Sequence, residues 1–242
     1  MVEAAAATAA VVPVVRVAGV DKWYGHYHAL RNIDLTVARG DCVVLWGPSG
    51  SGKTTLLRCI AGLESVQSGT MEVAGVRKSV GPLVHPTPTA GVGLVFQRSA
   101  LFLNMRVIDN LTIGLRRVRK MQRREAEALA MHHLAQVRMA EHALHHPAQL
   151  SGGQQQRTEI ARALCMDPQI LLFDEPTAAL DPELKNEVGQ VIAALVRDGR
   201  TVMVATHEPL LIHALTPRMV LMADGAIVGE STSAEFFSRA SR

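Results

Sequence analysis

Short, nearly continuous apolar runs alternate along the chain with stretches whose apolar residues recur every three or four positions. The first run, DCVVLW at residues 41–46, predicts a strand buried on both faces. From about residue 53 to 63 the spacing becomes helical. ILLF at 170–173 and TVMVAT at 201–206 read as two further buried strands. Between them, Leu184, Val188, Val191, Ile192 and Leu195 share one face of a helix expected over Pro182–Arg197. This alternation predicts an α/β fold, a mixed or parallel sheet covered by helices. Its polar functional residues fall just beyond the strand ends, where open α/β sheets bind ligands.

Two other regions have a different texture. Residues 14–37 and 71–96 carry short alternating runs punctuated by Gly and Pro, as an antiparallel β layer would. Residues 104–166 are mostly helical in pattern, with Ala126, Leu129, Leu134 and Val137 on one face. The stretch 78–88, with three prolines and a glycine, predicts an exposed loop. There is no internal repeat and no linker long enough to separate independent units. A single domain is therefore expected over 14–240, preceded by an Ala-rich, disordered leader at 1–13. Glu3 stands where a signal peptide would be positively charged, and Thr8 and Pro13 interrupt the apolar run.

Composition narrows the function classes. With 242 residues, 48% hydrophobic and 19% charged, the chain can bury a large core and is not intrinsically disordered. An excess of three positive charges is weak evidence for a polyanionic partner, and 4% aromatics argue against a base-stacking platform. No nucleic-acid partner is expected. No run approaches the 18 or more apolar residues of a membrane span. Cys42, Cys59 and Cys165 are scattered, without CxxC spacing, and read as reduced core residues. The basic residues Arg116, Arg117, Arg119, Lys120, Arg123 and Arg124 read as a solvated face. His132, His133, His142, His145 and His146 lack the spacing of a metal site.

Three segments carry chemistry. Gly47-Pro48-Ser49-Gly50-Ser51-Gly52-Lys53-Thr54 fits G-x-x-x-x-G-K-[ST] between a strand and a helix. Glycines let several backbone N–H groups converge on phosphate oxygens, and the helix N-terminus adds its free donors. Lys53 suits the terminal phosphates and the Thr54 hydroxyl suits Mg²⁺. Second, Asp174 and Glu175 follow the strand at 170–173. Asp174 can hold the water shell of Mg²⁺, and Glu175 can act as general base toward an attacking water. Third, Leu150-Ser151-Gly152-Gly153-Gln154 opens a helix with Ser151 as N-cap.

LSGGQ, the phosphate loop and ILLFDEP, in this chain order, resemble the ATPase subunit of ATP-binding cassette (ABC) transporters over residues 17–237. The resemblance implies an ABC-type nucleotide-binding domain: a P-loop core, an antiparallel β layer and a helical subdomain at about 98–160. It implies roles for further residues. Gln97 would meet Mg²⁺ and the attacking water, and His207 the γ-phosphate. Tyr24 would stack on adenine, with Trp23 in the same turn as the alternative, and Thr55 would extend the phosphate loop. Asp181 would communicate across a homodimer in which Leu150–Gln154 of one chain meet the ATP of the other. The implied partners are membrane permease subunits and a solute-binding protein, at the cytoplasmic face of the membrane. The segments around Lys22, Leu56 and Met105 are most similar to ATPases of polar amino acid importers. Ala178, the sequence after His207, and the short Pro-rich loop at 77–90 depart from that group's pattern. Another cargo, a non-transport ABC ATPase acting on ribosomes or DNA, and a regulatory ATP-binding module remain as rivals.

Overall fold

The computed structural model describes residues 13–81, 84–178 and 180–240. The expected leader lies outside these residues except for Pro13, which opens the first strand. Six strands form one sheet: β3 (Cys42–Trp46), β6 (Val92–Val95), β7 (Ile170–Asp174), β8 (Thr201–Ala205), β9 (Arg218–Ala223) and β10 (Ala226–Thr232). Their order is β10-β9-β3-β8-β7-β6, parallel throughout except where β10 pairs antiparallel with β9. A second, four-stranded antiparallel sheet has the order β2-β1-β4-β5. It is built from β1 (Pro13–Tyr24), β2 (Tyr27–Ala38), β4 (Ser68–Val73) and β5 (Val76–Arg77).

The period-two alternation of the central strands divides the core. Val43 and Leu45 of β3, Ile170 and Leu172 of β7, and Met203 and Ala205 of β8 face the antiparallel sheet and helix α1 (Lys53–Ala61). Val44, Leu171, Phe173, Val202 and Val204 face the opposite side. There they meet α2 (Val107–Arg117), α3 (Arg123–Gln136), α4 (Gly152–Cys165), α5 (Pro182–Arg197) and α6 (Pro209–Leu215). Every residue of β7 and β8 is buried. Water is excluded from both faces, so these strands read as unbroken apolar runs. A short α7 (Ser233–Ala240) follows β10, and its Phe236 meets Trp46 edge-on at 5.2 Å.

Several expectations are adjusted. Helix α1 stops at Ala61 because Gly62 adopts φ 73° and donates its N–H to Cys59 and Arg58, a left-handed C-cap. The segment 71–96 does not belong wholly to the antiparallel layer. Met71–Val73 and β5 do, but β6 joins the parallel sheet as its edge. Only one face of an edge strand is well covered, so β6 alternates as an antiparallel strand would. Within the helical pattern expected over 104–166, the helices run from Val107 to Cys165 and include two 3₁₀ turns, Ala140–His142 and Pro147–Gln149. Among the described residues no helix is long and apolar enough to cross a membrane.

Candidate functional site

The chain leaves β3 at Trp46 and turns through the phosphate loop into α1. Gly47 lies so close to β9 that a Cβ there would stand 2.1 Å from the Met222 carbonyl oxygen and 2.8 Å from Ser51 Oγ. Gly52 turns with φ 100°, a left-handed conformation that glycine adopts freely. The Lys53 ammonium donates to the carbonyls of Gly47 and Pro48, at 2.8 and 2.9 Å. Burial lowers the Lys53 pKa, opposed by the charges of Glu175 and Asp174. Ser51 Oγ is buried and has no hydrogen-bond partner. Ser51 does not line the cavity beside the loop, so the groups available to an anion there are the loop's backbone N–H groups and the Lys53 ammonium.

The acidic pair stands beside this loop. Thr54 Oγ1 donates to Asp174 Oδ1 at 2.6 Å, joining the start of α1 to the end of β7. The two oxygens form a hard donor set suited to a small divalent cation. Glu175, next in the chain, takes φ 48° while its N–H donates to the Ala205 carbonyl at the end of β8. The non-glycine left-handed turn aims its carboxylate toward His207, whose Nδ1 lies 3.0 Å from Glu175 Oε1. The Glu175 side chain is mostly buried and that of His207 mostly exposed.

A cavity of about 580 Å³ is lined by the phosphate loop except Ser51, together with Thr54, Thr55, Gln97, Glu175 and His207. Asp174 lines an adjoining cavity of about 340 Å³ with Thr54 and Gln97. Of the two aromatic alternatives, neither lines the larger cavity; Tyr27 does, together with Ala29. Trp23 stacks on His28 with centroids 3.7 Å apart. Tyr24 is half exposed, with Lys22 Nζ 4.6 Å from its ring centre. Burial and the Glu64 carboxylate push its phenol up to about 12.

The glycine-rich start of α4 does not line either cavity. Ser151 Oγ accepts from Gln154 N–H at 3.3 Å, and Gln154 Oε1 accepts from Ser151 N–H at 2.9 Å, a reciprocal cap. Leu150 is buried beneath it. A Cβ on Gly152 would stand 3.1 Å from Leu180, and one on Gly153 3.1 Å from Leu184. Asp181 lies between those leucines and caps α5, its Oδ1 accepting from Leu184 N–H at 3.0 Å. Gly152 thus lies against Leu180, and Gly153 against Leu184 in the first turn of α5.

The polar chemistry at these strand ends has a counterpart among known proteins. Residues 30–178 match the family model described as ABC transporter. The chain belongs to the ABC transporter ATPase family. This ABC ATPase is 47% identical over 225 residues to the glutamate transport ATP-binding protein GluA of Corynebacterium glutamicum, covering 93% of each chain. It is 45% identical over 218 residues to the glutamate/aspartate import ATP-binding protein GltL of Escherichia coli K12, covering 90% of each. Among solved structures it superposes on the ATP-binding cassette MJ0796, a dimer in a post-hydrolysis state bound to ADP and Pi. That match has a TM-score of 0.77 and 31% identity, over 90% of this chain and 98% of the other.

The ABC ATPase also contains connections that no motif advertised. Helix α4 holds the segment carrying Gln97 at several points. Gln156 Nε2 donates to the Phe96 carbonyl at 3.2 Å, Arg162 donates to the Ala100 carbonyl at 2.8 Å, and Glu159 accepts from Ala100 N–H. Glu159 is almost fully buried, and burial raises its pKa, opposed by Ala100 N–H and Arg162. Its signal in the sequence was a carboxylate on the same helical face as Gln156 and the apolar residues of α4. Tyr27 could have been found from the hairpin, since the two-residue turn after Tyr24 pairs Tyr24 with Tyr27. Among the described residues no group of three or more His, Cys, Asp or Glu side chains could hold a metal ion.

Proposed function

We propose that this ABC ATPase energises the import of polar amino acids through separate membrane permease subunits. It would work at the cytoplasmic face of the membrane, together with a solute-binding protein. What carries this reading is the convergence of Lys53, Thr54, Glu175 and His207 on one cavity beside the phosphate loop. It is supported by similarity over nine-tenths of the chain to ATP-binding proteins of glutamate transport.

In the proposed reaction, the N–H groups of residues 47–54 and the Lys53 ammonium hold the β- and γ-phosphates of ATP. The Glu175 carboxylate accepts a proton from water as the water oxygen bonds to the γ-phosphorus. The bond from that phosphorus to the β-phosphate bridging oxygen breaks, giving ADP and inorganic phosphate. His207 holds the Glu175 carboxylate and the γ-phosphate in one line. Thr54, Asp174 and Gln97 would hold Mg²⁺, which supplies charge neutralisation at the phosphates. Tyr24 and Thr55 would complete the nucleotide site. Ser151 and its neighbours in Leu150–Gln154 would face the γ-phosphate of the other chain in a homodimer, with Asp181 beside them. The dimeric state of MJ0796 supports that arrangement.

Glu175→Gln keeps size and hydrogen bonding but removes the base. Turnover should fall about 10²–10⁴-fold, while Mg-ATP drives the variant into a dimer visible by gel filtration. Normal turnover in the variant would refute the assignment of the base. Purification of the parent in mild detergent should bring down membrane permease subunits, and glutamate or a related polar amino acid should stimulate ATPase activity in the reconstituted complex. Recovery with ribosomes, or stimulation only by apolar solutes, would refute the transport reading.

A further inference from the structure

We propose that His142 is a positioning residue that holds the Ser151 hydroxyl in its working orientation. The inference rests on the reading that Ser151 meets the nucleotide of a second chain. His142 closes the 3₁₀ turn Ala140–His142, upstream of α4. Its Nε2 lies 3.1 Å from Gln154 Nε2. The oxygen of that amide is already engaged, accepting from Ser151 N–H at 2.9 Å. The amide therefore turns its amino group to the imidazole, and His142 Nε2 must offer a lone pair. Gln154 is thus fixed at both ends, and its backbone N–H in turn donates to Ser151 Oγ at 3.3 Å.

The rest of the Gln154 residue is also anchored, its carbonyl accepting from Thr158 Oγ1 at 2.8 Å. Without His142 the side-chain amide could turn to solvent and release the Ser151 N–H, loosening the N-cap backbone that carries the hydroxyl. His142 itself is steadied by its neighbours. Its ring packs edge-on against His145, centroids 5.1 Å apart, and its side chain is about one-fifth exposed. It is not among the residues lining the chain's own phosphate-loop cavity. Its effect should therefore fall on the contact made by Ser151 and spare nucleotide capture by Lys53 and its loop.

The test compares His142→Ala, His142→Gln and Ser151→Ala, each alone for steady-state turnover and each with Glu175→Gln for dimerisation driven by Mg-ATP. Loss of one ordinary hydrogen bond at each of the homodimer's two sites predicts a contact about fivefold weaker per site, a dimer about 25-fold weaker, and a kcat about fivefold lower for His142→Ala. ATP affinity of the monomer should stay within twofold of the parent. In His142→Gln the amide oxygen can accept the same bond, so dimerisation and kcat should return toward the parent. If Ser151→Ala is impaired while His142→Ala matches the parent, the positioning role is overturned. Failure of His142→Gln to rescue overturns it too, because packing and not the acceptor would then matter. Full activity and dimerisation of Ser151→Ala would overturn the reading of the Ser151 contact itself, and the proposal with it. Thermal midpoints of all three variants separate these outcomes from unfolding.

Discussion

Gly47 and Gly50 occupy one loop but are glycine for different reasons, so substituting each by alanine should separate them. At Gly47 the constraint is space. β3 ends at Trp46, which pairs with Leu221 of β9, and this brings the Met222 carbonyl directly over the next residue. An alanine Cβ would lie 2.1 Å from that oxygen, where ordinary contact begins at 3.4 Å. A displacement of about 1.3 Å is required, by subtraction of those two distances. Met222 cannot supply it freely, because it pairs with Ile227 of β10 and the preceding Leu221 pairs with Trp46 of β3. The loop must move instead, taking with it the Gly47 carbonyl that receives Lys53 Nζ.

A misplacement of about 1 Å at a reacting centre costs on the order of 10²-fold in rate, or about 2.7 kcal/mol of transition-state stabilisation. Overpacking adds about 1–3 kcal/mol against stability. At Gly50 nothing lies within 4 Å of a built Cβ, and only the φ of 81° resists substitution. A single alanine in that conformation costs about 1–2 kcal/mol, without pushing on β9. Phosphate release at saturating Mg-ATP should therefore fall about 100-fold in Gly47→Ala and less than about tenfold in Gly50→Ala. Titration with a fluorescent nucleotide should show the same order. Parent-like turnover in Gly47→Ala, or equal damage at both positions, would refute the reasoning from space.

Three further outcomes follow from packing and burial. Burial pushes the Cys42, Cys59 and Cys165 thiols each up to about 12, so alkylation of the native chain at pH 8 should be slow, and all three should react once it is unfolded; rapid modification of the native chain at Cys59 or Cys165 would contradict this. Gly153→Ala should cost about 1–3 kcal/mol by overpacking against Leu184, despite the better helix propensity of alanine, and Leu184→Ala should recover part of it in urea titrations. Greater stability in Gly153→Ala alone would mean that α4 and α5 can separate freely. Because burial raises Glu159, the folded chain keeps its proton to higher pH than the unfolded chain. The stability this contributes is complete below the ordinary carboxylate range and is lost as pH rises through the folded value. Glu159→Gln cannot ionise, so its urea midpoint should gain on the parent as pH rises above the ordinary carboxylate range; a constant or reversed difference would refute the sign.

The parts of the fold visible in the sequence are those whose cause is local. β3, β7 and β8 are buried on both faces, and unbroken apolar runs result. The phosphate loop is eight contiguous residues whose backbone chemistry needs no distant partner. Asp174 and Thr54 are 120 positions apart, yet each is announced by its own segment, one ending a buried strand and the other opening a helix. β6 was assigned to the wrong layer because alternation records how many faces are covered, not the direction of the neighbour. β9 and β10 went unread although Asp224–Gly225 between them is a hairpin signal, with φ of 47° and 81°.

The glycines of α4 show where local reading stops. A pair of glycines at a helix start invites a phosphate reading, because glycine weakens a helix and calls for a reason. Their close approach to Leu180 and Leu184 supplies a packing reason of equal force. Small residues at a helix start therefore cannot by themselves distinguish a ligand from a neighbouring helix. At the phosphate loop the ambiguity is broken by a different observation. Gly47 is also tight against protein, but Lys53 beside it lines a cavity and carries a charge held by two backbone carbonyls, which packing does not explain. At α4 the Ser151 hydroxyl already accepts from Gln154 N–H, has a proton still to donate, and lines neither cavity. The distinction is between a charged donor facing a cavity of its own chain and an exposed donor available to a second chain. That is why Lys53 can be argued from the folded monomer, whereas Ser151 must be tested by assembling two.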